Sequence, residues 1–291
     1  MKQRRYTKTI FFLLVLGLSI KLEAQTISKT VTIIHGGLSS AINDTNKKTI
    51  KSLVINGTID VRDFVTIRDN MPAISELDLS GTTIAEYTET VNGNANIYQA
   101  NTIPSFAFFN LTTNYSKDSL TTFIFPKSVT KIGSHAFQHC SELHSLLISS
   151  EITSIEFFAF GGCSALLSVD PQNTYYSSSS GILFNKDQTT LIQVPTSITG
   201  YYSIPQTTTK IGEFAFAGCD KVTSVYIPSS VISIGGYAFM MLTIKAITVS
   251  SSSPIDFVST SNTPFNGIDY NYCTLYVPQG SVTKYKLAFI Y

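Results

Sequence analysis

Ser128–Ile148 reads SVTKIGSHAFQHCSELHSLLI, and this stretch is one copy of a repeat. Its grammar is an apolar residue, two polar ones, Ile, a small residue, Ala-Phe, Cys or Leu, then L-x-S-L-x-I. Ala-Phe returns at Ala107-Phe108, Ala136-Phe137, Ala159-Phe160, Ala215-Phe216 and Ala238-Phe239. Successive Phe residues are separated by 29, 23, 56 and 23 positions. Four residues before each Ala stands Ile103, Ile132, Ile155, Ile211 or Ile234. Four after it stands Leu111, Cys140, Cys163, Cys219 or Leu242. A unit this short cannot bury its own apolar side chains, so it must stack on its neighbours as one coil of a solenoid. The pattern predicts a mostly β chain with short helical turns, in which each Phe lies over the Phe of the coil below.

The strand segments align as Leu120–Phe125, Leu143–Ile148, Leu166–Val169, Val222–Ile227 and Ile244–Val249. Positions one, four and six of each are apolar and predicted inward. Positions three and five then face outward, because side chains alternate across a strand. They are Thr122 and Ile124, Ser145 and Leu147, Ser224 and Tyr226, Ala246 and Thr248. Strands in neighbouring coils lie roughly 4.8 Å apart. These residues should therefore form two rows on one parallel sheet, the candidate binding surface.

The SVTxIGxxAFxxCxxL grammar from Ile103 to Val249 resembles the BspA-type leucine-rich repeat. The resemblance implies a leucine-rich-repeat solenoid of the right-handed β/α superhelix type, with its parallel sheet on the concave face. It also implies a secreted or cell-surface protein engaged in adhesion to host or matrix proteins or to other cells. Leu53/Ile55 and Leu77/Leu79 read as the first leucine-rich strands.

Residues 1–24 read as a secretory signal peptide. Lys2, Arg4, Arg5 and Lys8 form its basic start, and Ile10–Ile20 is an apolar run too short to span a bilayer comfortably. Cleavage is expected after Ala24, leaving an exported chain with no membrane span; an uncleaved anchor is the rival reading. Residues 25–100 read as an N-terminal cap. It holds a short helix at Leu38–Ile42, a turn at Asn43–Asn46 and strands at Ile50–Ile55 and Ile74–Leu79. Asn56-Gly57 and Ser80-Gly81 close those strands. Asp60 or Thr58 caps a helix running to about Asn70, and residues 86–100 form a loop. The repeats occupy 101–249. The long gap between Phe160 and Phe216 holds a β-hairpin insert at about 172–208, with Gly181–Phe184 and Thr190–Val194 as its strands and a polar turn at Tyr175–Ser180. Tyr175, Tyr176, Tyr201 and Tyr202 are expected to cluster there. Residues 250–291 form an atypical terminal repeat ending in a short helix at Ser281–Phe289. Its apolar edge is a candidate for self-association.

Charged residues make up 13% of the chain, about half the usual share, and the formal net charge is +1. Without residues 1–24 the balance is −3. Neither value suits nucleic acid or an anionic membrane surface. The four Cys fill a column that also takes Leu, so they read as small buried hydrophobes, although Cys140 and Cys163 on adjacent coils leave a disulfide open. His135, His139, His144 and Cys140 invite a metal site. However, His135 stands in a column otherwise holding Phe106, Phe158, Phe214 and Tyr237, where it replaces an aromatic ring. No phosphate loop, nucleophile elbow or zinc signature is present, and no cofactor is expected. The sequence therefore reads as a non-catalytic surface whose partner is an extracellular protein or glycan.

Overall fold

The computed structural model describes residues 27–92, 94–240, 243–257, 263–269 and 271–288. The expected signal peptide and cleavage site lie outside the described residues. The chain is a mostly β solenoid. In the coil Ser128–Ile148 the inward apolar set is at most 2% exposed: Val129, Ile132, Ala136, Phe137, Cys140, Leu143, Leu146 and Ile148. Burying each large apolar side chain contributes about 1.5–3 kcal/mol.

Two layers of parallel strands enclose this core. One layer carries the L-x-L strands: Ser28–Ile33, Ser52–Ile59, Glu76–Ile84 and Thr122–Ile124 in one ladder, Ser145–Ile148 with Leu166–Val169, then Gly200–Ser203, Val222–Ile227, Ala246–Val249 and Thr274–Tyr276. The other layer carries two-residue strands at the repeat's Ile, such as Thr102–Ile103, Lys131–Ile132 and Ser154–Ile155.

Between the layers each coil turns a left-handed corner. Phe106, His135, Phe158, Phe214 and Tyr237 have φ of 60°, 58°, 55°, 55° and 54°. For bulky residues this region costs about 1–3 kcal/mol. Stacking offsets the cost: Phe106–His135, His135–Phe158, Phe158–Phe214 and Phe214–Tyr237 have ring centroids 4.8, 5.1, 4.9 and 5.0 Å apart. His135 is thus one ring of an aromatic file.

The inner Phe residues form two files, not the expected single one. Phe64, Phe108, Phe137 and Phe160 follow at 6.1, 5.0 and 5.6 Å, and Phe216, Phe239 and Phe265 at 4.7 and 5.3 Å. The core divides at the strand Ile182–Asn185. Its Leu183 packs into the first cluster, and Ile182 and Phe184 into the second. Alternation along one strand makes it a wall apolar on both faces, which is why its sequence is a continuous apolar run.

Helix α1 spans Leu38–Ala41, α2 Asp44–Thr49, α3 Val61–Asn70 and α4 Val282–Ala288. α3 begins with a capping box between Asp60 and Asp63 and buries Phe64 and Ile67. Buried Asp63 also accepts from Gly36 N at 2.7 Å and Leu38 N at 2.9 Å, clipping the N-terminal loop to the helix.

Several expectations fail locally. Asn43 is an N-cap, and Asp44–Thr49 is helix instead of turn. Asn56-Gly57 and Ser80-Gly81 lie inside strands that run on to Ile59 and Ile84. The expected loop at 86–100 is an antiparallel hairpin, Tyr87–Val91 with Asn94–Tyr98. Tyr175–Ser180 contributes a strand, Tyr176–Ser179. The four insert tyrosines do not cluster: Tyr176 Oη accepts from Ile155 N at 2.9 Å, while Tyr202 packs on Phe216.

Leu111 is 70% exposed and does not share the cysteine column. A hairpin pairing Phe109–Asn110 with Tyr115–Ser116 intervenes, and the column passes to Lys117. Lys117 N donates to Phe108 O at 2.9 Å, as Cys140 N does to Phe137 O at 3.2 Å and Cys219 N to Phe216 O at 3.0 Å.

Cys140, Cys163 and Cys219 are buried free thiols, and Cys273 is half-buried. Burial pushes Cys140 and Cys219 well up and Cys163 to about 12, so almost no thiolate exists at neutral pH. Iodoacetamide at pH 8 should therefore label Cys273 alone in the native protein, and all four after denaturation. Mass spectrometry of the intact chain checks this; native labelling of the buried three would contradict it.

Candidate interaction surface

Strand pairing decides which outward residues are neighbours. Glu76 pairs with Thr122 and Asp78 with Ile124. Ser145 pairs with Leu166 and Leu147 with Ser168. Tyr201 pairs with Ser224, which pairs with Ala246; Ser203 pairs with Tyr226, which pairs with Thr248. The predicted residues thus stand in two rows, but not on one continuous sheet. Thr122 and Ile124 end one ladder, Ser145 and Leu147 belong to a second, and Ser224, Tyr226, Ala246 and Thr248 to a third. Between the first two ladders the backbone bond nearest the strands runs from His144 N to Thr121 O at 3.4 Å. The insert intrudes between the second and third: Gly181 O accepts from Leu167 N at 2.9 Å, taking the edge that the next coil's strand would use.

Exposure separates the blocks further. Ile124, Leu147 and Leu166 are 45%, 58% and 45% exposed, and Thr122 and Ser145 are exposed beside them. Ser224, Tyr226, Ala246 and Thr248 are half-buried, and Tyr226 is tied to Ser250 Oγ at 2.6 Å.

Leu166 was missed by sequence reasoning. Placing it at the inward first position set the strand two residues out of register. Leu167, paired with Leu146, is the buried residue. The signal was available: Leu167 follows Cys163 by four residues, whereas Leu146 follows Cys140 by six.

From Thr122–Ile124 onward, tyrosine is the sole titratable type among the strands that carry the rows, so that part of the face offers aliphatic and hydroxyl surface. The acids of the face, Glu76 and Asp78, lie at one end, and Asp78 accepts from Ser80 N at 2.8 Å. Among the described residues no group of three or more His, Cys, Asp and Glu is arranged to hold a metal ion. His135 Nδ1 instead lies 2.6 Å from Gln138 Oε1, and burial lowers the pKa of His139, whose ring meets Phe109 edge-on.

A family model for the BspA type leucine rich repeat region matches in six copies over residues 94–200 and 200–270. The chain belongs to the BspA-type leucine-rich repeat family. No curated protein matches it. Solved structures similar to it include three leucine-rich or surface proteins. A leucine-rich repeat protein from Eubacterium ventriosum is 17% identical, with TM-score 0.45, covering 77% of this chain and 68% of that one. A leucine-rich cell surface protein from Faecalibacterium prausnitzii is also 17% identical, with TM-score 0.43 and coverages of 89% and 85%. The pneumococcal vaccine antigen PcpA is 16% identical, with TM-score 0.44 and coverages of 89% and 80%. Among the described residues no helix is long and apolar enough to cross a membrane.

Proposed function

We propose that this BspA-type repeat protein is exported and acts without catalysis, binding an extracellular protein through the sheet face. The observation that carries this reading is the exposure of Ile124, Leu147 and Leu166 on three successive coils, with Thr122 and Ser145 exposed on the same face. Three aliphatic side chains held outward on rigid strands offer apolar contact with little ordering cost. A protein side-chain cluster fits them better than a glycan, which needs more hydrogen-bonding groups than this face supplies.

The triple variant Ile124→Asp, Leu147→Asp, Leu166→Asp tests it. All three sites are exposed, so melting temperature and circular dichroism should hold. Capture of a partner from matrix, mucin and cell-surface fractions by the wild type, then titration with that partner, should show affinity falling at least about 100-fold. A variant that binds equally well would sink the sheet-face reading.

A second reading is self-association through Thr274–Tyr276. Leu275 pairs with buried Ile247 yet is 36% exposed, beside Tyr276 at 55%. Sedimentation at rising concentration decides: a dimer abolished by Leu275→Asp favours this reading, and a monomer throughout removes it.

A further inference from the structure

In regular coils the left-handed corner residue and the Phe two places later each donate a backbone N–H to the following coil. Phe106 N reaches Ser134 O and Phe108 N reaches Ala136 O, both at 2.9 Å. His135 N reaches Phe157 O at 3.3 Å and Phe137 N reaches Ala159 O at 2.8 Å. Phe214 N and Phe216 N reach Gly236 O and Ala238 O at 3.2 and 2.9 Å. The same register would join Phe158 N to Glu213 O and Phe160 N to Ala215 O. The insert breaks both. Val194 N takes Ala215 O at 2.8 Å, and Gln193 Nε2 approaches it at 3.4 Å. Among the described residues, neither Phe158 N nor Phe160 N has an acceptor.

At this seam lies a cleft of about 200 Å³, lined by Glu156, Phe157, Phe158, Ile192, Gln193 and Glu213. One water needs about 10–15 Å³ of such space, so the cleft is too large for a single bridging solvent molecule. Phe157 is 44% exposed, and Phe214 holds it edge-on at 5.0 Å and 85°. Glu156 is fixed: it pairs with Lys131 and accepts from Ser134 N at 3.0 Å and Ser134 Oγ at 3.1 Å.

We propose that this cleft binds one neutral pyranose unit of a glycan. The occupant must accept hydrogen bonds from the two orphaned N–H groups, donate to Glu156 and Glu213, and lay a C–H face on Phe157. An anion would satisfy the N–H groups but meet the carboxylate of Glu213, while Glu156 is already paired with Lys131. A cation would suit the carboxylates and the ring but leave the N–H groups desolvated and unpaired. A sugar hydroxyl both donates and accepts. The positively polarised C–H face of the sugar matches the negative face of an aromatic ring. A few convergent polar groups beside an aromatic wall are the general make-up of a small-molecule site. This site is separate from the sheet face, and neither reading depends on the other.

Saturation-transfer NMR on the full chain tests the proposal. The probes are methyl glycosides of glucose, galactose and mannose, N-acetylglucosamine and N-acetylgalactosamine. N-acetylneuraminic acid and argininamide serve as the charged controls. At least one neutral probe should bind with a dissociation constant in the millimolar range. Phe157→Ala and Glu213→Ala should each weaken it about tenfold or more, and Leu147→Asp should leave it unchanged. Both substituted residues are exposed, so the variants should keep the wild-type melting temperature; Glu213→Gln, which keeps an acceptor, should bind better than Glu213→Ala. No binding by any neutral probe, binding untouched by both variants, or stronger binding of either charged control would overturn the assignment.

Discussion

Phe137→Ala should lower the unfolding free energy by about 4 kcal/mol, within the roughly 3–5 kcal/mol typical of buried Phe→Ala changes. The ring is fully buried, and it meets Phe108 at 5.0 Å, Phe123 at 5.1 Å, Phe125 at 5.8 Å and Phe160 at 5.6 Å. Truncation removes transfer energy, leaves a cavity and deletes four ring contacts together. The surrounding rings cannot collapse inward, because stacked coils above and below fix their heights. The change should also be one-sided. Coils of a solenoid couple to their neighbours only, and the core is partitioned at Ile182–Phe184. Amide exchange should quicken in the strands from Thr122 to Val169 while Val222–Ile227 and Ala246–Val249 keep their protection. A loss under about 1.5 kcal/mol, or equal loss of protection in both halves, would contradict this stacking account. Phe157→Ala, at an exposed ring, is the control and should cost far less.

What repetition encodes was legible in the sequence. Ala136-Phe137 could be read as core because four sister pairs repeat it, and His135 could be read as a ring because its column holds Phe and Tyr. The errors cluster where a coil changes length. Leu111 sits four residues after Ala107, yet the hairpin at 109–116 moves the column to Lys117; the 29-residue spacing, six longer than 23, was its trace. Leu166 was placed inward because a turn two residues shorter was not counted. The outward rows follow from strand alternation and were readable. Their division into ladders was not, because it depends on where Gly181 lends its carbonyl. The seam cleft left a mark in residue type, since Glu156 stands where sister coils carry Gly133, Gly212 and Gly235, but its orphaned N–H groups did not: an N–H loses its acceptor when Val194 N takes the carbonyl of Ala215, and that is decided by backbone path alone. Phe157 does stand out in its column, which otherwise holds Ser105, Ser134, Glu213 and Gly236, yet a ring at that position does not by itself say what it faces.

Lys117 should make stability depend on pH in alkaline solution. Its backbone follows the cysteine column, so its side chain enters the core, where it is 0% exposed. The Nζ donates to Ile67 O at 2.8 Å, to Arg68 O at 3.5 Å and to Met71 O. Ile67 and Arg68 belong to the last four residues of α3, whose carbonyls lack partners within the helix and carry its negative pole. The lysine therefore caps α3 from the next coil. Burial nevertheless pulls its pKa from 10.5 to about 8, with Asp69 pushing the other way. The unfolded chain holds the proton up to its ordinary value, and the folded chain releases it earlier. Between pH 8 and 10.5 the unfolded state binds more protons, so stability from this group rises with pH across that window and is flat below it. The gain, measured as wild type minus Lys117→Met, should be about 3 kcal/mol. The difference cancels tyrosine titration, which is common to both proteins. Guanidinium unfolding of the pair at pH 7, 8, 9 and 10 reads it directly. A constant gap would mean that the carbonyls at the end of α3 hold the ammonium charged as firmly as water does. Lys117 would then be a fully compensated cap, and burial alone would not have set its proton affinity.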